Sequence, residues 1–137
     1  MTQEDKELLM KDLCARLLYR VKIRIQSKPR ILFGVQHEGV QQELVIVRGK
    51  DEDGYNWQEY DIEEWNVKPY LRPMSSMTEK EDIEYTAIGR NWPGDIVRRI
   101  DWLNSHHFDY RCLIEKGLAL EAPEGMYNKN KDKNVLA

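Results

Sequence analysis

The residues best suited to chemistry in this 137-residue chain sit close together: His106, His107, Asp109 and Cys112. Imidazole, carboxylate and thiol are the ligands of a zinc site, and a thiol beside a base is the start of a cysteine nucleophile. The spacing argues against both. Neighbouring residues on a helix point about 100° apart, so His106 and His107 do not converge on one ion. His107 falls on an apolar stripe and reads as a packed histidine with a hydrogen-bonded ring nitrogen. Asp109 is placed to cap a helix. Cys14 lies on the apolar side of an N-terminal helix with no activating partner nearby, and reads as a small buried hydrophobe. There is no G-x-S-x-G turn, phosphate loop, G-x-G-x-x-G or H-E-x-x-H. Asp51-Glu52-Asp53-Gly54 opens like a calcium loop but lacks the further ligands and the glutamate at position 12, so it reads as a solvated hairpin tip. The expectation is no catalytic residue, no metal and no cofactor.

Charge points to binding instead. Between Asp12 and Glu38 there are six basic residues and no acid, while Asp51 to Glu64 holds seven acids and no base. As neighbouring strands, the two stretches partly neutralise each other. Left unneutralised, Arg20, Lys22 and Arg24 project from one strand face, with Arg16 and Arg30 at its flanks and Trp57 as an aromatic neighbour. Such a face suits phosphates and stacked bases, so nucleic acid is one expected ligand and a small phosphorylated nucleotide another. A third class needs no chemistry at all. Trp65, Tyr70, Arg72 and Trp92, with Trp102 and Tyr110, are the residue types that anchor protein interfaces. A protein-binding adaptor or inhibitor is the leading expectation, and the two anionic ligands are the alternatives.

The elements that position these residues follow from periodicity. Thr2 caps a helix whose acids Glu4, Asp5 and Glu7 favour its positive end, and Leu9, Leu13 and Leu17 line one face to about Leu18. The period then becomes two: Tyr19, Val21, Ile23 and Ile25 alternate with Arg20, Lys22, Arg24 and Gln26. Ser27-Lys28-Pro29-Arg30 reads as a turn, and Ile31–Gln36 and Glu43–Arg48 as strands joined by a polar loop carrying His37 and Gly39. Gly49 to Gly54 reads as a further loop, and Tyr55–Tyr60 as a fourth strand. Asp61–Met74, with Pro69 and Pro73, reads as an extended crossover on the surface. Thr78-Glu79-Lys80-Glu81 is a capping box that starts a helix to about Ile88, with Ile83, Ala87 and Ile88 inward and Gly89 at its end. The clearest helical stripe follows from about Gly94: Ile96, Ile100, Leu103 and His107, widened by Val97, form the face expected to meet the core, with Trp102 partly exposed. A short helix from Asp109 to Lys116 closes at Gly117, and Leu118 and Leu120 return to the core. The fold class expected is α+β: an N-terminal helix, an antiparallel meander of about four strands, open or curled into a small barrel, and a C-terminal helical unit. Residues 1–127 read as one domain and 128–137 as a polar tail.

The blocks VKPYLRPMSSMTEKE (Val67–Glu81) and DWLNSHHFDYRCLIEKGLALEAPEGMY (Asp101–Tyr127), with KDLCARL (Lys11–Leu17), resemble a family of small uncharacterised proteins of gut Bacteroides-type bacteria, their prophages and mobile elements. The resemblance implies a phage or mobile-element accessory protein that binds a host or phage protein, and it transfers no functional residue. Two cysteines outside any C-x-x-C pair suit a reducing cytoplasm. The polar, acidic start is not a signal-peptide pattern, and no apolar run approaches the ~20 residues of a membrane span, so no membrane association is expected.

Overall fold

The computed structural model describes residues 1–38, 44–51 and 57–127. Helix α1 (Gln3–Arg16) leads into strands β1 (Lys22–Ile25), β2 (Lys28–Glu38), β3 (Leu44–Lys50) and β4 (Trp57–Asp61), followed by β5 (Lys68–Leu71). Helices α2 (Glu79–Ala87) and α3 (Pro93–Ser105) and a two-residue strand β6 (Leu120–Glu121) complete the fold. The class is α+β, with one open six-stranded sheet ordered β4-β3-β2-β1-β5-β6. Neighbours are antiparallel except β5 and β6, and the sheet does not close into a barrel.

The meander β1 to β4 matches the sequence pattern, with its turns displaced. Positive φ at Gln26 and Ser27 makes these two residues the turn, a conformation that a two-residue hairpin loop requires. Pro29 is thereby inside β2, opposite Arg24 and beyond the stretch that pairs with β3. Gly49 and Lys50 belong to β3, not to a loop. A Cβ on Gly49 would come within 3.2 Å of Ile25 Cδ1, so a larger residue there requires that side chain to give by a few tenths of an ångström. Tyr19 sits in a short 3-10 turn, not in β1. His37 extends β2, whereas Gly39, the Glu52–Gly54 part of the acidic hairpin tip, Tyr55 and the 128–137 tail lie outside the described residues.

Helix α1 starts as read: the Thr2 hydroxyl accepts the Asp5 amide at 3.0 Å, and Glu4 and Asp5 occupy the first turn. Leu9 and Leu13 are fully buried against Val21, Ile23, Ile25, Leu32, Val47 and Leu71. The inner face is not purely apolar, because Asp12 and Arg16 are also fully buried. Arg16 donates to both Asp12 carboxylate oxygens (2.9 and 3.1 Å) and to the Phe108 carbonyl (2.6 Å). Arg111 reaches Asp12 as well, at 3.3 Å. This polar seam fastens α1 to the 108–111 segment, and it displaces Cys14, which is exposed instead of buried.

The supposed surface crossover holds the largest revision. Val67, Pro69 and Leu71 are buried and alternate with partly exposed Lys68 and Tyr70. Thus β5 is a strand paired with β1, and β6 reaches only Tyr70 and Leu71 of it, so the amide that Pro69 lacks is not called on by that neighbour. Where the β1–β5 ladder ends, the Tyr127 hydroxyl continues it: it accepts the Lys22 amide and donates to the Tyr70 carbonyl, both at 2.8 Å. One step further, Arg72 exchanges backbone bonds with His107 and Asp109 (2.7 and 2.8 Å).

The capping box at Thr78 and Glu81 is formed, and Gly89 takes a positive φ after α2. Ile83 is 63% exposed, however, and Ala87 is exposed too, so α2 does not turn them inward. Tyr85 is its contact residue, with its ring 5.4 Å from that of Trp102. Trp102 is partly exposed, as expected. The α3 stripe is buried at Leu103 and His107 but open at Ile96 (58% exposed), Val97 (58%) and Ile100 (40%). The short helix after Asp109 does not form, because Cys112 has φ 59° and breaks the helical run. Asp109 caps turns instead, accepting the amides of Leu113 and Ile114 (2.9 and 3.0 Å). Leu118 is buried in the core and Leu120 lies partly buried in β6.

Candidate functional site

The histidine pair is separated by its packing. His106 is stacked on Trp102, with ring centroids 3.9 Å apart, and its Nδ1 lies 2.8 Å from the Trp102 carbonyl. His107 takes a positive φ, turns into the interior and stacks on Tyr127 at 3.8 Å. It is packed, but its Nδ1 has no hydrogen-bond partner, which revises the expected bonded ring nitrogen. Burial, reinforced by the Arg16 guanidinium and by His106, lowers its pKa to about 3, so it is neutral at physiological pH. Cys112 is exposed, and among the described residues no group of three or more His, Cys, Asp or Glu side chains is arranged to hold a metal.

The basic residues divide between two sides of the sheet. Opposed residues in an antiparallel pair share a face, so the register puts Lys22, Arg24, Ile31, Lys50 and Lys68 on the side away from Ile23 and Ile25. Arg30 lies opposite Ile23 on the core side and is paired with Asp51. Arg16 is buried. Neither flanks the basic face, and Arg20 stands exposed just before β1 in a left-handed conformation. The expected neutralisation by the acidic stretch is partial: Asp51 meets Arg30, while Glu59 pairs with Arg48 and Glu63 with Lys6. Arg24 and Lys68 face each other directly across β1 and β5, with no carboxylate partner among the described residues. Lys22 Nζ donates to the Met126 carbonyl at 3.3 Å, and Lys50 lies over the Phe33 ring at 5.6 Å. Trp57 starts β4 opposite Lys50; only its backbone is described. Lys50 and Lys68 are additions to the sequence-derived set, missed because both fell in segments read as connections.

The four interface candidates also part company. Trp65 packs edge-on to Tyr60 (5.2 Å, 81°) against the core. Tyr70 is half-buried on the outer sheet face. Arg72 is consumed structurally: it binds Glu81 through two bonds of 2.8 and 2.7 Å and lies over the Phe108 ring at 4.2 Å. The Arg72 guanidinium holds the Glu81 carboxyl down at about 2. This pair floors a cleft of about 740 Å³ that Ser76, Thr78, Glu121 and Tyr127 also line.

Only Trp92 is broadly exposed, at 73%. It sits one turn before Ile96, so Trp92, Ile96, Val97 and Ile100 form an apolar ridge along the first turns of α3. Helix α2 packs on another side of α3: Arg99 bonds the Gly89 carbonyl at 2.6 Å and lies over Tyr85 at 4.6 Å. The ridge is therefore left uncovered by α2. Arg90 is exposed two residues before Trp92, exposed Asp101 follows Ile100, and Arg98 turns to the other side of the helix, where it pairs with the buried Asp95.

No helix among the described residues is long and apolar enough to cross a membrane. In comparisons of sequence and structure, no family model, no curated protein and no solved structure matches this chain.

Proposed function

We propose that this chain is a non-enzymatic binding module that docks on a host protein through the α3 ridge, as an adaptor or inhibitor carried by a phage or mobile element. The observation that carries this reading is the exposure of Trp92, Ile96, Val97 and Ile100 on one side of a helix whose next turn is core. Contiguous exposed apolar side chains rimmed by charge mark interaction surfaces more often than idle surface. Anchors at i, i+4, i+5 and i+8 are the pattern of a helix laid into a groove. Arg90, exposed two residues before Trp92, calls for a carboxylate at that end, so the partner is a protein with an apolar groove bearing an acidic group there. The resemblance of the Val67–Glu81 and Asp101–Tyr127 blocks to mobile-element proteins supports a bacterial host as its source.

The test is a capture from bacterial lysate with the intact chain and with Trp92→Ala, Ile96→Ala and Arg90→Glu variants, each first shown to melt like the parent. A buried aromatic anchor contributes about 2 kcal/mol or more, so Trp92→Ala should weaken the complex roughly 30-fold or beyond. Arg90→Glu should weaken it further at low salt than at high salt. A partner retained equally by all three variants refutes the ridge as the docking surface. So does light scattering that shows the purified chain to be a dimer dissociated by Trp92→Ala, since the ridge would then be covered by a second copy.

A further inference from the structure

We propose that the outer face of the sheet binds single-stranded nucleic acid, with Arg24, Lys68, Lys22 and Lys50 contacting phosphates and Tyr70 stacking a base. The surface is independent of the α3 ridge. Its starting point is an unexplained cost: Arg24 and Lys68 lie directly opposite each other on neighbouring strands, and like charges so placed destabilise a sheet. Neither side chain has a carboxylate or hydrogen-bond partner among the described residues. The described carboxylates on this face are committed elsewhere, Glu59 to Arg48 and Asp61 to the amides of Glu63 and Glu64. Positive charge is thus gathered on one face of a chain whose net charge is −3.

Strand geometry then sets the spacing. Lys22 and Arg24 are two residues apart on β1, roughly 6.6 Å along the strand, and Lys68 is one strand away at about 4.8 Å. Lys50 shares the row of Lys22 through Ile31, two strands away at about 10 Å. Four cations spread over roughly 16 Å of the face suit an extended phosphodiester backbone better than the compact phosphates of a single nucleotide. Tyr70 is two residues beyond Lys68 on β5, so it shares that face and is half-buried beside it. A sheet face carrying an aromatic ring among cations reads unstacked bases, because a base inside a duplex presents no free ring to it. The Tyr127 bridge at Lys22 and Tyr70 pins the two strands that carry the cluster, so the site is held in place before any ligand arrives.

The experiment is fluorescence anisotropy with labelled oligothymidine and oligouridine over a series of salt concentrations, using the whole chain. The parent should bind both, with log K falling linearly as log salt rises. Arg24→Gln and Lys68→Gln should each reduce that slope by about 0.7, the share of one released counterion on a single strand. Tyr70→Ala should lower affinity with the slope unchanged, and Tyr70→Phe should restore it. Lys116→Gln, outside the face, and Trp92→Ala should bind like the parent, so failure here is separable from failure of the docking ridge. Absence of binding at low salt overturns the proposal, as do parental slopes in both Gln variants. Preference for a duplex of the same length, or displacement by nucleoside triphosphate as efficient per phosphate as by oligonucleotide, also overturns it.

Discussion

The division of α3 into a covered and an uncovered half makes a sharp stability prediction. Leu103 is 5% exposed, and truncating a leucine so enclosed costs about 2–5 kcal/mol through lost transfer energy and the cavity left behind. Ile100 is 40% exposed. Full burial of isoleucine is worth roughly 1.5–3 kcal/mol, so the burial it retains corresponds to about 1–2 kcal/mol. Alanine returns a few tenths of a kcal/mol through its better helix propensity. Ile100→Ala should therefore cost about 1 kcal/mol, and Ile96→Ala, at 58% exposure, about 0.5 or less. Urea unfolding of the three variants against the parent is the assay, with ΔΔG read from midpoint shifts at constant m. The refuting result is Ile96→Ala or Ile100→Ala destabilising as strongly as Leu103→Ala. The helix would then be packed along its whole stripe. Repeating the unfolding across a range of protein concentrations tells an internal covering from a second chain, because only the latter makes the midpoint concentration-dependent.

Two further outcomes follow from the interior. His107 titrates near 3 in the fold against 6.5 in the open chain, so the unfolded state binds the proton more readily and stability is complete above about pH 6.5 and declines toward pH 3 at up to ~1.4 kcal/mol per unit. The melting temperature should fall between pH 7 and 5, and His107→Gln should flatten that fall, whereas the Glu81 contribution is lost only below its open-chain value of 4.5. Tyr127→Phe removes the hydroxyl between the Lys22 amide and the Tyr70 carbonyl, which should cost about 1–3 kcal/mol and speed hydrogen exchange at the Lys22 amide; unchanged exchange there would show that the hydroxyl does not carry the ladder.

Much of the fold was legible because it rests on local signals. The Thr2 and Thr78 caps, the Val21-Ile23-Ile25 alternation and the positive φ of Gly89 all form as the residue types require. What escaped depends on distant partners. Val67, Pro69 and Leu71 alternate with Lys68, Tyr70 and Arg72, a strand pattern in plain view, but two prolines argued for an extended connection. Only the pairing with β1, more than forty residues earlier in the chain, makes it a strand. Cys14 adjoins Leu13 and Leu17 on one flank of the helix, but Asp12 and Arg16 on the other flank are drawn inward by Phe108 and Arg111, and Cys14 is turned out to solvent. Arg30 looked like part of a basic strand face and lies on the opposite side, since the true turn at Gln26 and Ser27 moves the register.

The α3 stripe shows a deeper limit. Periodicity reports that one side of a helix is to meet something apolar, and the energy of removing isoleucine from water is the same whether its own core or another molecule does so. Ile96, Val97, Ile100, Leu103 and His107 therefore read as one face. The chain itself covers only the last two of them. Trp92 supplies the independent sign of which case applies to the rest. It precedes the helix, lies outside the core cluster and stays 73% exposed, so it extends the open part of the stripe. An apolar stripe that continues past the edge of its own core and ends in an exposed tryptophan is what the proposed docking on a partner protein requires.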